Sequence, residues 1–254
     1  MSKIKIIPCL DIKDGRVIKN EKFLLNSRDA GDPAELASFY CKEGADALAM
    51  LDTTASLEKR GTLLETVKRV SAQISVPFIV GGGIRTVSDA DEVLAAGASM
   101  VLVNTAAIRR PELISELAKQ YGSGRVVVAI DAKRDADGKY RLCINGGREI
   151  LSETDAVEWA VECEKRGAGE IVLTGFDTDG TKNGYDLEMT KSVAEAIKIP
   201  VTASGGAGIL EHFYEAVAIG KASNVLAASL FHFKELSIMQ VKNYLHGKGL
   251  DVFI

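Results

Sequence analysis

The sequence has few of the residues that build metal centres and disulfide frameworks. Its 254 residues include four cysteines and three histidines. The cysteines are scattered without a CxxC spacing, so the sequence predicts neither a zinc site nor a disulfide framework. The histidines are also too dispersed for a ligand set, and we predict structural or exposed roles for His212, His232 and His246.

Long apolar runs and a strong charge of one sign are also missing. No stretch approaches the roughly 20 apolar residues of a membrane span, and the N-terminus lacks the layout of a secretory signal. The formal net charge of −4 argues against nucleic acid as the main partner. We therefore expect a cytoplasmic protein that binds neither membranes nor nucleic acid.

The sequence does contain a regular alternation of short apolar runs and amphipathic stretches. Runs rich in Val and Ile predict strands over residues 4–10, 46–52, 77–81, 100–104, 125–130, 169–174, 200–204 and 224–228. Helical periodicity follows each run, over residues 33–44, 60–73, 87–96, 111–121, 153–166, 186–197, 209–219 and 236–247. Eight such units predict an α/β fold, a (β/α)8 TIM barrel. We expect one domain over residues 1–254, with a small hairpin insertion near 134–150.

The chain also repeats itself at an offset of 120 to 124 residues. VPFIVGGGI (76–84) aligns with IPVTASGGA (199–207), and ASMVLVNTAA (98–107) aligns with ASNVLAASLF (222–231). This period is much longer than that of a solenoid repeat. It indicates two similar half-barrels of four strands each, joined in one closed barrel.

Two of the predicted strands run directly into an aspartate, the first into Asp11 and the fifth into Asp131. These strands lie opposite each other in an eight-strand barrel, so both carboxylates should face across the C-terminal mouth, where the active sites of such barrels lie. An aspartate after a strand often only caps a loop or a helix. Two at equivalent positions favour a reaction that needs an acid and a base.

Glycine-rich segments follow the third and seventh predicted strands, at residues 81–83 and 205–206. Glycine lets backbone N–H groups approach an anion closely, and a helix N-terminus adds its dipole. A hydroxyl residue follows the next strand of each half, Thr105 in the first and Ser229 in the second. The matching pair predicts a ligand with a phosphate at each end.

Several motifs together resemble one family closely: IPCLDIKDGRVIK, RDAGDP, VGGGIR, NTAA, VVVAIDAKR, GAGEIVLT, DGTKNGYD, ASGGAG and LAASLFHF. Over essentially its whole length, the chain resembles the cyclase subunit of imidazole glycerol phosphate synthase, from histidine biosynthesis. It is less similar to the sister barrel, the isomerase of the preceding step, because ASGGAG and DGTKNGYD favour the cyclase.

The resemblance implies a reaction without metal or organic cofactor. Ammonia would condense with the ketone of a ribulosyl aminoimidazole carboxamide ribonucleotide, which carries a phosphate at each end. Ring closure would give imidazole glycerol phosphate and release aminoimidazole carboxamide ribotide. By similarity, Asp11 and Asp131 are the acid–base pair.

The resemblance also implies a set of substrate-binding residues. They are Lys19 in a mobile cover, Gly83, Asn104 and Thr105 at one phosphate, and Asp179, Gly180, Gly206 and Ser229 around the other. Lys19 and the apolar residues 23–25 belong to a segment expected to pack over the mouth. A lone loop lysine, however, is more often merely solvated.

The end of the barrel opposite this mouth departs from the family pattern. In the family, a glutaminase docks there, and its ammonia passes a ring of four alternating charges. The matching positions here are Lys5, Ala47, Met100 and Glu170, so two charges are missing although Lys5 and Glu170 are still able to pair. Ser99 and Ser223 stand where the family usually has Asp near the partner. The resemblance implies a glutaminase (class I amidotransferase) partner, while these changes put its coupling in doubt; neutral repacking of the core would also explain them.

Three other functions remain open from the sequence. A paralogue would apply the same ammonia chemistry to another substrate, such as a surface-polysaccharide sugar. The chain would otherwise catalyse the sister isomerase reaction or be a binding barrel without catalysis. The two aspartates and two glycine segments favour the cyclase, and the altered entrance keeps the paralogue open.

Overall fold

The computed structural model describes residues 3–20, 27–53, 55, 62–147 and 149–254, and its centre is a parallel β-barrel. The strands of these residues are, in chain order, β1 (Lys5–Lys13), β2 (Arg16–Asn20), β3 (Ser27–Gly31), β4 (Leu48–Asp52), β5 (Phe78–Gly81), β6 (Met100–Val103), β7 (Val126–Arg134), β8 (Tyr140–Ile144), β9 (Glu149–Asp155), β10 (Glu170–Gly175), β11 (Val201–Ser204) and β12 (Asn224–Ala227). Parallel pairing runs β1–β4–β5–β6–β7–β10–β11–β12 and returns from β12 to β1. The predicted (β/α)8 barrel is therefore confirmed.

Helices flank this barrel between its strands. Those in the described part of the chain are α1 (Pro33–Lys42), α2 (Leu64–Ser71), α3 (Val87–Ala95), α4 (Thr105–Arg109), α5 (Glu112–Tyr121), α6 (Ala156–Lys165), α7 (Leu187–Ala196), α8 (Leu210–Ala218), α9 (Ser229–His232) and α10 (Ile238–Gly247). The first helix begins as its Asp-Pro signal predicts, because Asp32 accepts a hydrogen bond from the backbone N–H of Ala34 at 2.9 Å.

Four helices differ from the sequence prediction. The short helices α4 and α9 are absent from it, because four or five residues are too few to show a helical period. The helix predicted over 153–166 begins at Ala156, since residues 149–155 pair with β8 as a strand. The helix predicted over 60–73 begins at Leu64, and residues 60 and 61 lie outside the described chain.

The first and fifth barrel strands extend beyond the aspartates at which the sequence predicts their ends. β1 continues to Lys13 and β7 to Arg134, because the antiparallel neighbours β2 and β8 supply hydrogen-bond partners above the barrel. Asp14 and Gly15 join β1 to β2 with φ values of 51° and 75°. A two-residue hairpin needs this left-handed pair. The two aspartates are therefore part of paired strands and not of loops.

Alternate side chains of the barrel strands point into its interior. A buried apolar cluster fills the middle of this interior: Ile7, Cys9, Ala47, Ala49, Ile79, Leu102, Val127, Ala129, Val172 and Leu226. A larger cluster, which includes Leu10, Val80 and Val128, joins the outer faces of the strands to the helices. Polar interior side chains consequently lie at the two ends of the barrel.

Ser99 and Ser223 have the same structural role in the two halves. The hydroxyl of Ser99 accepts a hydrogen bond from the backbone N–H of Phe78 at 3.0 Å, and that of Ser223 accepts one from Val201 at 3.4 Å. Each serine thus satisfies a donor at the beginning of a neighbouring strand. This contact gives both serines a local structural function at positions where the family usually has Asp.

A buried ion pair ties the last helix to the first strand and should contribute strongly to stability. The ammonium of Lys242 lies 2.6 Å from Asp46, whose other oxygen accepts the N–H of Ile6, and the two side chains are only 5% and 8% exposed. We predict that Lys242→Met lowers the free energy of unfolding by about 3 kcal/mol, because it leaves a buried carboxylate without its cation. Lys68→Met, which removes an exposed pair with Glu65, should change it by less than about 0.5 kcal/mol. Equal losses in urea unfolding would contradict this prediction.

Candidate active site

Asp11 and Asp131 lie on opposite walls of the C-terminal mouth. β1 and β7 are separated by three strands in each direction around the barrel. Asp11 is level with Leu51 on β4, and Asp131 is level with Thr174 on β10. Both aspartates are half-buried, and the charge of Asp11 acts on Asp131 across the mouth. The opposed arrangement predicted from the repeat is present.

The pKa of Asp131 is raised to about 6. Burial is the main cause, because it disfavours the charged form. Hydrogen bonds from Asn104 and Thr174 oppose the rise, and the carboxylates of Asp179 and Asp11 add to it. Asp131 is thus a carboxyl group that exchanges its proton close to neutral pH, as an acid–base group must.

Asn104 contacts this carboxyl group directly. Its side-chain N–H donates to Asp131 at 2.9 Å. Its side-chain carbonyl oxygen is buried and has no hydrogen-bond partner among the described residues. Buried acceptors normally have a partner, so this oxygen can accept a hydrogen bond from a ligand in the mouth. The motif resemblance placed Asn104 at a phosphate, and the contact with Asp131 is additional to that prediction.

The first glycine loop, residues 81–83, has a backbone that requires glycine. Gly82 and Gly83 have φ values of 93° and 79°. A side chain on Gly82 would overlap the carbonyl group of Asp52. The hydroxyl of Thr62 donates to the Gly82 carbonyl at 2.5 Å. Thr105 follows at the first position of α4.

The second glycine loop, residues 205–206, repeats these features. Gly205 and Gly206 have φ values of 83° and 108°. The hydroxyl of Thr178 donates to the Gly205 carbonyl at 3.2 Å, and Gly184 donates its N–H to the Gly206 carbonyl at 2.8 Å. The two loops therefore share one geometry, as the sequence repeat predicts. Ser229 is the first residue of α9, the equivalent of Thr105.

Asp179 and Gly180 lie in the segment after β10. The Cβ of Asp179 is close to Gly205, and its carboxylate is close enough to Asp131 to raise the pKa of that group. Gly180 is exposed in a turn with a φ of 73°. Asp179 is therefore close to both the second glycine loop and Asp131.

Lys19 is part of strand β2, which leaves the mouth beside β1. Its side chain is outside the part of the molecule that the structure describes, and so are residues 23–25. The predicted cover of the mouth by these residues stays a prediction.

The β8–β9 turn contacts the mouth in a way that the sequence reasoning missed. Asn145 donates its backbone N–H to the Thr105 hydroxyl at 3.1 Å. Gly147 lies so close to the Phe176 ring that a side chain on it would overlap the ring. The double glycine after Asn145 was a signal for a turn, but sequence alone does not show what the turn contacts.

Cys143 is level with Asp131 on the neighbouring strand β8. Burial and the nearby charges of Asp131 and Asp177 raise the pKa of its thiol to about 11. The thiol therefore stays protonated near neutral pH and is a poor nucleophile. Within the described residues, no group of three His, Cys, Asp or Glu side chains is arranged to hold a metal ion.

The opposite, N-terminal end of the barrel interior has a small buried polar cluster. The carboxylate of Glu170 accepts hydrogen bonds from Thr202 at 2.5 Å and from Asn224 at 3.3 Å. Asn224 also accepts the backbone N–H of Lys5 at 3.2 Å. No ion pair joins Lys5 to Glu170 in the chain as described, so Glu170 is stabilised by neutral donors. Ala47 is buried nearby in the apolar interior, and Met100 packs against that interior.

A closed parallel barrel with opposed carboxyl groups and two glycine loops at its C-terminal mouth is the architecture of a TIM-barrel enzyme. A family model described as "Histidine biosynthesis protein" matches residues 5–237. The chain therefore belongs to this family of histidine-biosynthesis enzymes. Across the described residues, no helix has the length and apolar character that a membrane crossing requires.

The raised pKa of Asp131 predicts a stability that depends on pH. The folded protein holds this proton up to about pH 6, whereas the unfolded chain loses it near pH 3.8, the ordinary pKa of an aspartate. Wild-type stability should therefore fall as pH rises from about 4 to about 7, by roughly 2 kcal/mol from this group. The side chain in Asp131→Asn does not titrate. The free energy of unfolding of this variant should therefore rise relative to that of the wild type, by the same amount and over the same pH range. Asp137→Asn, in the exposed β7–β8 turn, is the control. A constant difference between Asp131→Asn and wild type in urea unfolding from pH 4 to 7 would contradict the raised pKa.

Proposed function

We propose that the protein is a cyclase–lyase. It adds ammonia to a ribulosyl aminoimidazole carboxamide ribonucleotide and forms imidazole glycerol phosphate and aminoimidazole carboxamide ribotide. The observation that carries the proposal is Asp131, a carboxyl group with a pKa near 6 that faces Asp11 between two glycine loops of one geometry.

The proposed chemistry needs several proton transfers at one centre. When ammonia condenses with a ketone, the ketone oxygen must gain protons to leave as water, and the nitrogen must lose protons. With a pKa of about 6, Asp131 exchanges a proton near neutral pH, so its protonated fraction is suited to donate one, while Asp11 on the opposite wall would accept one. Asn104 keeps the Asp131 carboxyl group oriented, and its unpaired carbonyl oxygen is available to an N–H or O–H group of the substrate.

The two glycine loops would hold the two ends of the substrate. In this proposal Gly83 and Thr105 bind one phosphate, and Gly206 and Ser229 bind the other, with Asp179 and Gly180 beside the second. Positive φ at both loops lets the backbone approach an anion without a Cβ in the way. Lys19 would approach the substrate from the segment after β1.

The cyclase and its sister isomerase differ in the second reactant. Both would use paired carboxylates and a substrate with two phosphates, and only the motif resemblance favours the cyclase. An isomerase rearranges one molecule and needs no ammonia. Conversion of the ribulosyl nucleotide that increases with ammonium concentration therefore distinguishes them. If the nucleotide is not converted although phosphate binds at both loops, a paralogue with another substrate becomes the better proposal.

We predict that Asp11→Asn and Asp131→Asn each lower ammonium-dependent turnover by about 10²–10⁴-fold, because each loses a proton-transfer group. Asparagine keeps the shape of the side chain, so the circular dichroism spectrum should not change. Asp137→Asn is the control and should retain wild-type turnover. Near-wild-type rates in both site variants would contradict the assignment of the two aspartates as proton-transfer groups.

We also propose that ammonia from a glutaminase is poorly coupled to this barrel. By resemblance, ammonia would enter at the N-terminal end, where Ala47 and Met100 replace two of the four charges. Glu170 is bonded to neutral Thr202 and Asn224 instead of to a ring of ions. The barrel should then use free ammonium better than ammonia made by a partner.

This partner proposal predicts a gain from two substitutions made together. Ala47→Glu with Met100→Lys should raise the imidazole product formed per glutamine consumed when a glutaminase of the family is supplied. Each single change should do less, because it introduces a charge without its neighbour into a largely buried place. Turnover with ammonium salts is the control and should change little. Efficient coupling in the unaltered protein would overturn the proposal.

A further inference from the structure

The helices that follow the two glycine loops are capped in the same way by different residues. Before α3, a carboxylate oxygen of Asp89 accepts the backbone N–H groups of Arg85 at 2.8 Å and Thr86 at 2.9 Å. Before α8, Nδ1 of His212 accepts those of Gly208 at 3.0 Å and Ile209 at 3.4 Å. Gly208, Ile209 and His212 each lie 123 residues after their counterparts in the first cap, and the same offset separates the two glycine loops.

The second cap is electrically neutral. An imidazole nitrogen that accepts N–H groups carries no proton, so the proton of His212 is on Nε2 and the ring has no charge. In the first cap, the negative Asp89 has a cation beside it, because Nε of Arg85 lies 3.9 Å from its carboxylate. Neither cap therefore adds a net charge: Asp89 is paired with Arg85, and His212 is uncharged.

Packing explains why the second half has no ion pair. Gly208 occupies the place of Arg85, and a Cβ there would overlap the backbone carbonyl of Lys182. No side chain, and hence no cation, fits at position 208. A carboxylate at position 212 would therefore add a negative charge without a neighbouring positive one. The ammonium of Lys182 is itself paired with Glu235 at 2.6 Å, and the neighbouring Glu211 is paired with Lys248 at 3.2 Å.

The His212 ring also lies beside Gly184, in the segment after β10 that is hydrogen-bonded to the second glycine loop. Its Cδ2 is in van der Waals range of a Cβ placed on Gly184, and Gly184 donates its N–H to the carbonyl of Gly206. Asp179 is already an acidic group beside Gly205. A further negative charge at this loop would oppose the binding of an anion.

We infer that His212 is a positioning and specificity-determining residue for the second glycine loop. It caps the start of α8, directly after this loop, without adding charge, so that the loop accepts a phosphate group. The inference rests on the proposed function, which assigns one substrate phosphate to this loop. It differs from a purely structural cap, because a structural cap needs only an acceptor and is indifferent to charge.

Two substitutions separate charge from capping. His212→Asp retains an acceptor of the kind that Asp89 provides, but this acceptor is negatively charged. His212→Asn provides a neutral acceptor with the same shape as the Asp side chain. Inorganic phosphate is titrated into the full-length chain, and the amide NMR signals of Gly206 and Gly83 report the two loops separately. We expect the Kd reported by Gly206 to rise about tenfold in His212→Asp and to stay within about twofold of wild type in His212→Asn. The Kd reported by Gly83 should not change in either variant.

Equal phosphate affinities of the two variants at Gly206 would overturn the inference, and so would the absence of any phosphate response of Gly206 in the wild type. If either variant unfolds, His212→Glu and His212→Gln form a second pair, since Gln240 already caps α10 in the equivalent position. Turnover of the ribulosyl nucleotide by the wild type is measured in parallel. An absence of turnover would contradict the proposed function. The phosphate titration tests the role of His212 independently of that result.

Discussion

Closure of the parallel sheet between β12 and β1 is the constraint on which the rest of this structure depends. In the hydrogen-bonded register, paired residues of adjacent strands direct their side chains to the same face of the sheet. Alternate side chains along each strand therefore face the interior of the barrel. Closure brings the level of Asp11 and the level of Asp131 to opposite walls of one mouth. It also places Asp131 beside Asn104 in a half-buried position, and this burial is the main cause of the raised pKa of the carboxyl group.

The two halves share backbone geometry more closely than side-chain chemistry. Both glycine loops have two consecutive positive φ values and a threonine hydroxyl that donates to a glycine carbonyl, that of Gly82 or Gly205. In both, an acceptor lies in the first turn of the next helix. These features are constrained because the loops pack against backbone, where a Cβ does not fit. The side chains are less constrained, as the exchange of Asp89 for His212 shows, and they make the electrostatics of the two halves different.

The polar groups of the interior are divided by an apolar middle. At the N-terminal end, Glu170 obtains hydrogen bonds from Thr202 and Asn224, which partly offset the cost of burying a carboxylate. At the other end, Asp131 has Asn104 and lies close to the acidic groups Asp11 and Asp179. The carboxylate of Glu170 therefore has neutral hydrogen-bond donors, whereas Asp131 has both donors and neighbouring acidic groups.

Sequence pattern alone determined the barrel, its two-fold repeat and the positions of both aspartates and both glycine loops, because period, strand count and glycine turns are local properties. Other features depended on groups far apart in the chain. The extension of β1 and β7 past their aspartates required antiparallel neighbours, and helices α4 and α9 were too short to show a period. The bond from Asn104 to Asp131 and the neutral cap at His212 exist only because closure and loop packing bring these groups together. Tertiary structure decided them, since burial, pKa and hydrogen-bond partners are properties of the assembled mouth and not of any segment.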